Sequence, residues 1–286
     1  MDHNPILVLT SSPDDMEFAI GDILQSQNGG SLIRVETQRR IPKQTEAFIT
    51  WVRPERLHHV YYSVASAPDA CNVVVAAACV AAMLGFLDEH RGTTSDFKLI
   101  LLTATTLPQS QEIAVQTVNR LLEIGARPEQ MGLVLTQAPD ATSVRDAFPQ
   151  LAQLRDEHLP ELAFEAVVHE SSIFARAREH QVPVASVLNG LVDFETALQQ
   201  ARQKGADESA LQALAKKVLV QRSLLAQRDK IGRAFSTLPF PRVSREDWLQ
   251  KASNFNPSLC QETGIPGQDE ITPGVSSELR SAHEHQ

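Results

Sequence analysis

Seven consecutive residues, Asn72-Val-Val-Val-Ala-Ala-Ala78, contain no polar side chain after the first. A strand that is apolar on both faces belongs in a parallel sheet covered by helices on each side. Two further runs share this character: Ile6-Leu-Val-Leu9, and Phe97-Lys-Leu-Ile-Leu-Leu-Thr103 with one lysine near its start. Shorter strands are expected at Leu32–Val35, Met131–Leu135 and Phe164–Val168. Between them lie segments with helical spacing. Asp14–Gln27 is closed by Asn28, Gly29 and Gly30. Val80–His90 follows the second strand of the set. Gln109–Ile124 is amphipathic and ends at Gly125 with Pro128 beyond. Helices are also expected over Gln44–Trp51, Asp146–Leu154 and Ser171–His180, and Leu57–Tyr62 is ambiguous. The alternation of strand and helix predicts a doubly wound, mostly parallel three-layer α/β fold with right-handed crossovers.

The chain of 286 residues exceeds what such a sheet needs. The expected division is an α/β domain over 1–195, a helical extension over 196–251 and a disordered tail over 252–286, where large apolar residues become sparse. In the extension, Leu211, Leu214, Val218, Leu225 and Ile231 recur at mostly helical spacing. Lys216, Lys217, Arg222, Arg228, Lys230 and Arg233 share that stretch with one acid, Asp229. They form either a solvated face or a contact surface for DNA or an acidic partner. The formal charge of −9 argues against nucleic-acid binding over the whole surface. Cys71, Cys79 and Cys260 have no metal-ligand spacing and read as reduced thiols. The longest apolar run, Val73–Phe86, is shorter than the roughly 20 residues of a membrane span. No leader-like N-terminus is visible, so a cytoplasmic location without membrane insertion is expected.

In open α/β sheets the turn after the first strand is where phosphate meets a helix N-terminus. Here that turn is Ser11-Ser12-Pro13-Asp14-Asp15-Met16-Glu17. It holds neither glycine nor lysine, and it carries three acids.

The block from Asn72 to Phe174 resembles the StbB family of plasmid-stability proteins, a branch of the ParA/MinD-like P-loop ATPases. Asn72–Val75 corresponds to the family strand ending in a metal-binding aspartate. Phe97–Thr103, Gln109–Gly125 and Arg127–Met131 match its next strand, helix and connection. Leu133-Val-Leu-Thr-Gln137 matches a strand that ends in an asparagine in the family. Phe148–Leu151, Val167–Glu170 and Ile173-Phe174 follow in register, and Leu32–Thr37 resembles an earlier strand. The resemblance implies ATP and Mg²⁺ as ligands, dimerisation and a small DNA-binding partner. This chain departs from it at the nucleotide contacts. The Gly-Lys-Thr loop, whose amides and lysine hold phosphate, is replaced by Ser11–Glu17. The strand-end acid is Ala76, and the base-reading asparagine is Thr136. Each carboxylate facing a triphosphate costs on the order of 1 kcal/mol or more. The expectation is therefore a homologue without ATP or Mg²⁺ and without a catalytic residue. It would act through protein or DNA contacts, as a homodimer or paired with an active relative.

A rival enzyme reading rests on the same turn. Ser12-Pro13-Asp14-Asp15 resembles the His-Pro-Asp-Asp motif of LmbE/PIG-L zinc deacetylases, which would make Asp14 a general base and Asp15 a zinc ligand. Serine replaces the histidine ligand, and serine is a poor ligand for zinc. His58, His59 or His169 would have to supply the remaining donor. The plainer reading makes Asp14 and Asp15 a helix cap and first-turn charge.

Overall fold

The computed structural model describes residues 4–13, 15–37, 49–67, 70–140, 142–159, 164–169, 171–236 and 238–239. The chain runs β1 (Ile6–Thr10), α1 (Asp15–Asn28), β2 (Ser31–Val35), β3 (Ile49–Val52), α2 (Leu57–Ser66), β4 (Cys71–Val75), α3 (Val80–Glu89), β5 (Leu99–Ala104) and α4 (Pro108–Ile124). It continues with β6 (Met131–Ala138), α5 (Val144–Ala147), α6 (Pro149–His158), β7 (Phe164–His169), α7 (Ile173–Glu179), α8 (Val184–Leu188), α9 (Phe194–Gln203) and α10 (Glu208–Ala234).

The strands form one sheet in the order β3-β2-β4-β1-β5-β6-β7, and every pairing is parallel. β1 sits between β4 and β5, with Ile6 level with both Asn72 and Leu99. The chain leaves β1 outward on one side, returns to it through β4, and then builds outward on the other side. The C-terminal end of β1 is therefore the topological switch point, where α/β sheets open a crevice.

Alternate residues of each strand face opposite layers. Leu7 and Leu9 pack with Val60, Met83, Val118 and Leu151, which α2, α3, α4 and α6 bring to one face. Ile6 and Val8 pack with Ile20, Phe174, Val187 and Leu224, from α1, α7, α8 and α10. This is the expected doubly wound three-layer architecture with a helix at the C-terminal side. α10 belongs to the second layer, with Val220, Leu224 and Ile231 buried and Phe235 beside Phe164 at 5.9 Å between ring centroids.

The N-terminal ends of β2 and β4 are joined by a polar clasp. The buried Asn72 amide donates to Gly29 O (2.8 Å) and Ser31 O (3.3 Å), and its oxygen accepts from Asn28 at 3.2 Å. Gly30 completes that turn at φ +74°, and a Cβ there would lie 1.7 Å from Ala70 O. Only glycine satisfies both demands.

Two local expectations need correction and one ambiguity is resolved. Ile49–Val52, expected to end a helix at Trp51, is instead an edge strand paired with β2, because its β-branched residues match a half-covered pleat better than a helix turn. The ambiguous Leu57–Tyr62 is helical and lies within α2. The single helix expected over Asp146–Leu154 is two helices. Phe148, preceding Pro149, adopts φ −130° and ψ 58°, as the proline ring disfavours α geometry just before it. The expected tail, residues 252–286, lies outside the described residues.

Candidate functional site

At the switch point β1 ends at Thr10, whose hydroxyl donates to Val75 O at 2.9 Å. Ser11 Oγ donates to Thr103 O at 2.6 Å and lies 2.7 Å from Ser110 Oγ. With the one Ser11 proton directed to Thr103, Ser110 is the donor in the serine pair. Ser110 Oγ in turn accepts the Thr105 N–H at 3.0 Å. A closed network thus ties the end of β1 to the end of β5 and the start of α4. Ser11 is 7% exposed.

Ser12 is half-buried and Pro13 is exposed; Asp14 lies outside the described residues, as does the side chain of Asp15. α1 begins at Asp15, so four residues separate strand from helix. A Gly-x-x-x-x-Gly-Lys loop needs more chain than that to arch around phosphate. Met16 and Glu17 are buried in the first turn of α1. The local field is negative. The buried Cys79 thiol is pushed up first by desolvation and then by Glu36, Glu17 and Glu55. Its other buried counterpart, Cys71, is lifted by burial to about 11, so neither is a ready thiolate.

Ala76 is buried at the end of β4, its N–H donating to Val35 O at 3.0 Å. Its side chain is a methyl group with no ligand atom. Thr136, also buried, donates its hydroxyl to Ala104 O at 3.2 Å. The next residue, Gln137, has φ 57° and marks a bulge at which the β6–β7 register shifts. The residues singled out from sequence therefore do gather along one sheet edge. Ser11 and Thr136 make internal hydrogen bonds there, and Met16, Glu17 and Ala76 are buried.

Farther along that edge, Asp140 Oδ1 lies 3.0 Å from His169 Nδ1 and 3.4 Å from Lys230 Nζ. The histidine contact is one of proximity, outside hydrogen-bond alignment. Beneath it is a cavity of about 220 Å³ with an apolar floor that includes Ile23, Phe174, Ile231 and Phe235.

The six basic residues of α10 do not form one face. At roughly 100° per residue they point all around the helix. Lys217 lies 5.6 Å from the Phe194 ring centroid, Arg222 Nε is 2.7 Å from Glu195 Oε1, and Lys230 meets Asp140. Lys216, Arg228 and Arg233 are exposed. Leu225, expected in the packing stripe, is 41% exposed, and Val220 and Leu224 take that role.

For the deacetylase reading, His58 and His59 lie on α2 and His169 on β7, beside Asp140 and Lys230. Among the described residues no three histidine, cysteine or carboxylate side chains converge as metal ligands.

A buried ion pair escaped the sequence reading. Arg34 on β2 and Asp22 on α1 meet at 2.9 Å with side-chain exposures of 1% and 6%. Asp22 also accepts the backbone N–H groups of Val184 and Ala185, at the start of α8. The available signal was an arginine inside an otherwise apolar strand of a sheet covered on both faces, since such a charge requires a buried counter-ion.

No protein-family model matches the chain, and no curated protein matches it in sequence. Among solved structures, it is similar to a ParA family ATPase from Chlorobium tepidum TLS, with 10% identity and a TM-score of 0.41, covering 62% of this chain and 88% of that one. It is similar to the cell division protein MinD of Aquifex aeolicus (11% identity, TM-score 0.41, 78% and 97% covered). It is also similar to the MinC:MinD complex of Aquifex aeolicus (12%, 0.42, 78% and 96%). Likeness at these levels does not extend to activity. Among the described residues, no helix is long and apolar enough to cross a membrane.

Proposed function

We propose that this chain is a plasmid or mobile-element stability factor of the StbB/ParA type, linked to partition or conjugation. It does not hydrolyse ATP and acts through protein or DNA contacts. The observation that carries the reading is the closed β1–α1 edge. Its connection is four residues long and free of glycine, its Ser11 hydroxyl bonds to Thr103 and Ser110, and Glu17 is buried in the first helical turn. A triphosphate entering there would displace internal hydrogen bonds and approach a carboxylate. Ala76 and Thr136 are consistent with this, because neither supplies a metal-binding acid or a base-reading amide. Without these three separate nucleotide-binding features, little remains of the charge stabilisation that phosphoryl transfer requires. In this reading the protein pairs with a second copy or with an active relative, and a small DNA-binding protein is its partner.

Two measurements test the reading. Calorimetric titration with ATP and Mg²⁺ should give no heat of binding, and micromolar affinity would sink the non-hydrolysing assignment. Deleting the coding sequence from its replicon should raise the loss rate of that replicon over generations without selection. Unchanged retention contradicts a stability role.

A further inference from the structure

The chain contains two tyrosines, and both fall on α2 beside a pair of histidines: His58, His59, Tyr61 and Tyr62. Leu57, Val60 and Val64 anchor the inner side of this helix. The other side is a shelf of rings. Tyr62 is 60% exposed, and His58, one turn before it, is exposed as well. His58 and Tyr62 meet edge to face at 5.8 Å, His59 lies 4.3 Å from His58, and Tyr61 lies 6.3 Å from Tyr62. Arg53 and Arg56 stand exposed just before α2, outnumbering the exposed Glu55 between them. There the first amides of the helix add partial positive charge.

We infer that α2 is a contact site for single-stranded nucleic acid, with bases stacking on His58 and Tyr62 and the backbone held by Arg53 and Arg56. Exposed rings following a pair of cations are what unpaired bases and phosphates require of a surface, because every base has a stacking face. A duplex hides those faces and would leave the rings uncovered. A basic peptide could stack its cations on the same rings, but it would meet two arginines against one acid, Glu55. An anionic bilayer is a poorer match, since the apolar side of α2 is already buried in the core. The net charge of −9 confines binding to a local patch. The inference is independent of whether ATP binds, so a positive ATP titration would leave it standing.

The test is fluorescence anisotropy of labelled oligothymidylate with the full chain, over a series of salt concentrations. Saturable binding is expected, weakened about tenfold by Tyr62→Ala and by His58→Ala and retained by Tyr62→Phe, which keeps the ring. The double variant Arg53→Gln/Arg56→Gln should flatten the log–log salt slope by about 1.4, at roughly 0.7 for each phosphate that is no longer neutralised. All four positions are exposed, so thermal melting should be unaltered. Absence of saturable binding overturns the site. So does wild-type affinity in both alanine variants. Equal or tighter binding of a duplex of the same length assigns the contact to phosphate alone and overturns it too.

Discussion

Asp22 and Asp193 each receive the N-terminus of a helix, and their proton affinities shift in opposite directions. Asp22 accepts the amides of Val184 and Ala185 at α8. Its proton affinity is nonetheless raised, because desolvation outweighs Arg34 and both amides. Asp193 caps α9, accepting from Glu195 (2.9 Å) and Thr196 (3.2 Å). It is lowered, first by the Thr196 hydroxyl and then by the Thr196 amide. Both accept two helix amides, and Asp22 has a guanidinium besides, yet only the buried Asp22 is raised, so the access of water decides the outcome. The start of α1 shares the burial of Asp22, with Ser11 at 7% and Glu17 at 3% exposure. An anion arriving there would meet the desolvation Asp22 meets, next to a carboxylate already in place. The fold does hold an anion on helix amides beside an arginine, but that anion is its own Asp22.

The severest way to break this comparison is to remove one member of the buried pair. Asp22→Ala leaves Arg34 charged inside the protein and is expected to lower unfolding free energy by about 3–5 kcal/mol. Urea denaturation reads this directly. The double variant Asp22→Leu/Arg34→Met removes both charges and should recover most of the loss, as apolar replacements of buried pairs often do. A loss below about 1 kcal/mol in Asp22→Ala would mean that water reaches the pair, and the contrast with Asp193 would fail.

The neutral network at the switch point should respond less. Ser110 Oγ joins Ser11 Oγ and the Thr105 N–H, so Ser110→Ala strands a buried amide. The expected loss is about 1–3 kcal/mol. Ser11→Ala removes one donor from Thr103 O and should lose less. Equal stability of Ser110→Ala and wild type in urea would show that water replaces the hydroxyl. That would make the edge open enough to reconsider as a ligand site.

The central strands were legible because β1, β4 and β5 are almost wholly apolar, and only a parallel sheet covered on both faces buries such runs. β3 was not: Ile49-Thr-Trp-Val52 is four residues long, and its pairing with β2 supplies the strand signal that its own pattern lacks. For α10 the helix was legible but its inner face was not. Leucines at 219, 224 and 225 point in different directions, and only packing against α7, α8 and β7 selects Leu224. The position of the β1–α1 turn was legible as well. Its closure was not, because the Ser11–Ser110 contact joins residues 99 apart. The Asp22–Arg34 pair was overlooked for a related reason. Each residue lies within an element whose apolar neighbours already account for it, and the partnership exists only once α1 packs on β2.

The smallest effect is also the sharpest test, since it depends on sign. The raised affinity of Asp22 means that the folded protein holds this proton more tightly than the unfolded chain. The associated stability is fully present below the ordinary carboxylate value of 3.8 and is lost as pH rises through the higher folded value. Asp193 is depressed, so its contribution is present above 3.8 and is lost as pH falls through the lower folded value. Asn variants keep the shape and cannot titrate. The stability of wild type relative to Asp22→Asn should therefore fall as pH rises from about 4 toward neutrality. Relative to Asp193→Asn it should hold constant over that range and shrink only below about pH 4. Urea midpoints collected across a pH series separate the two. If both differences moved together, the amides rather than burial would govern these carboxylates. A desolvated anion at the start of α1 would then lose its penalty, and the case against phosphate at the β1–α1 turn would rest on Glu17 alone.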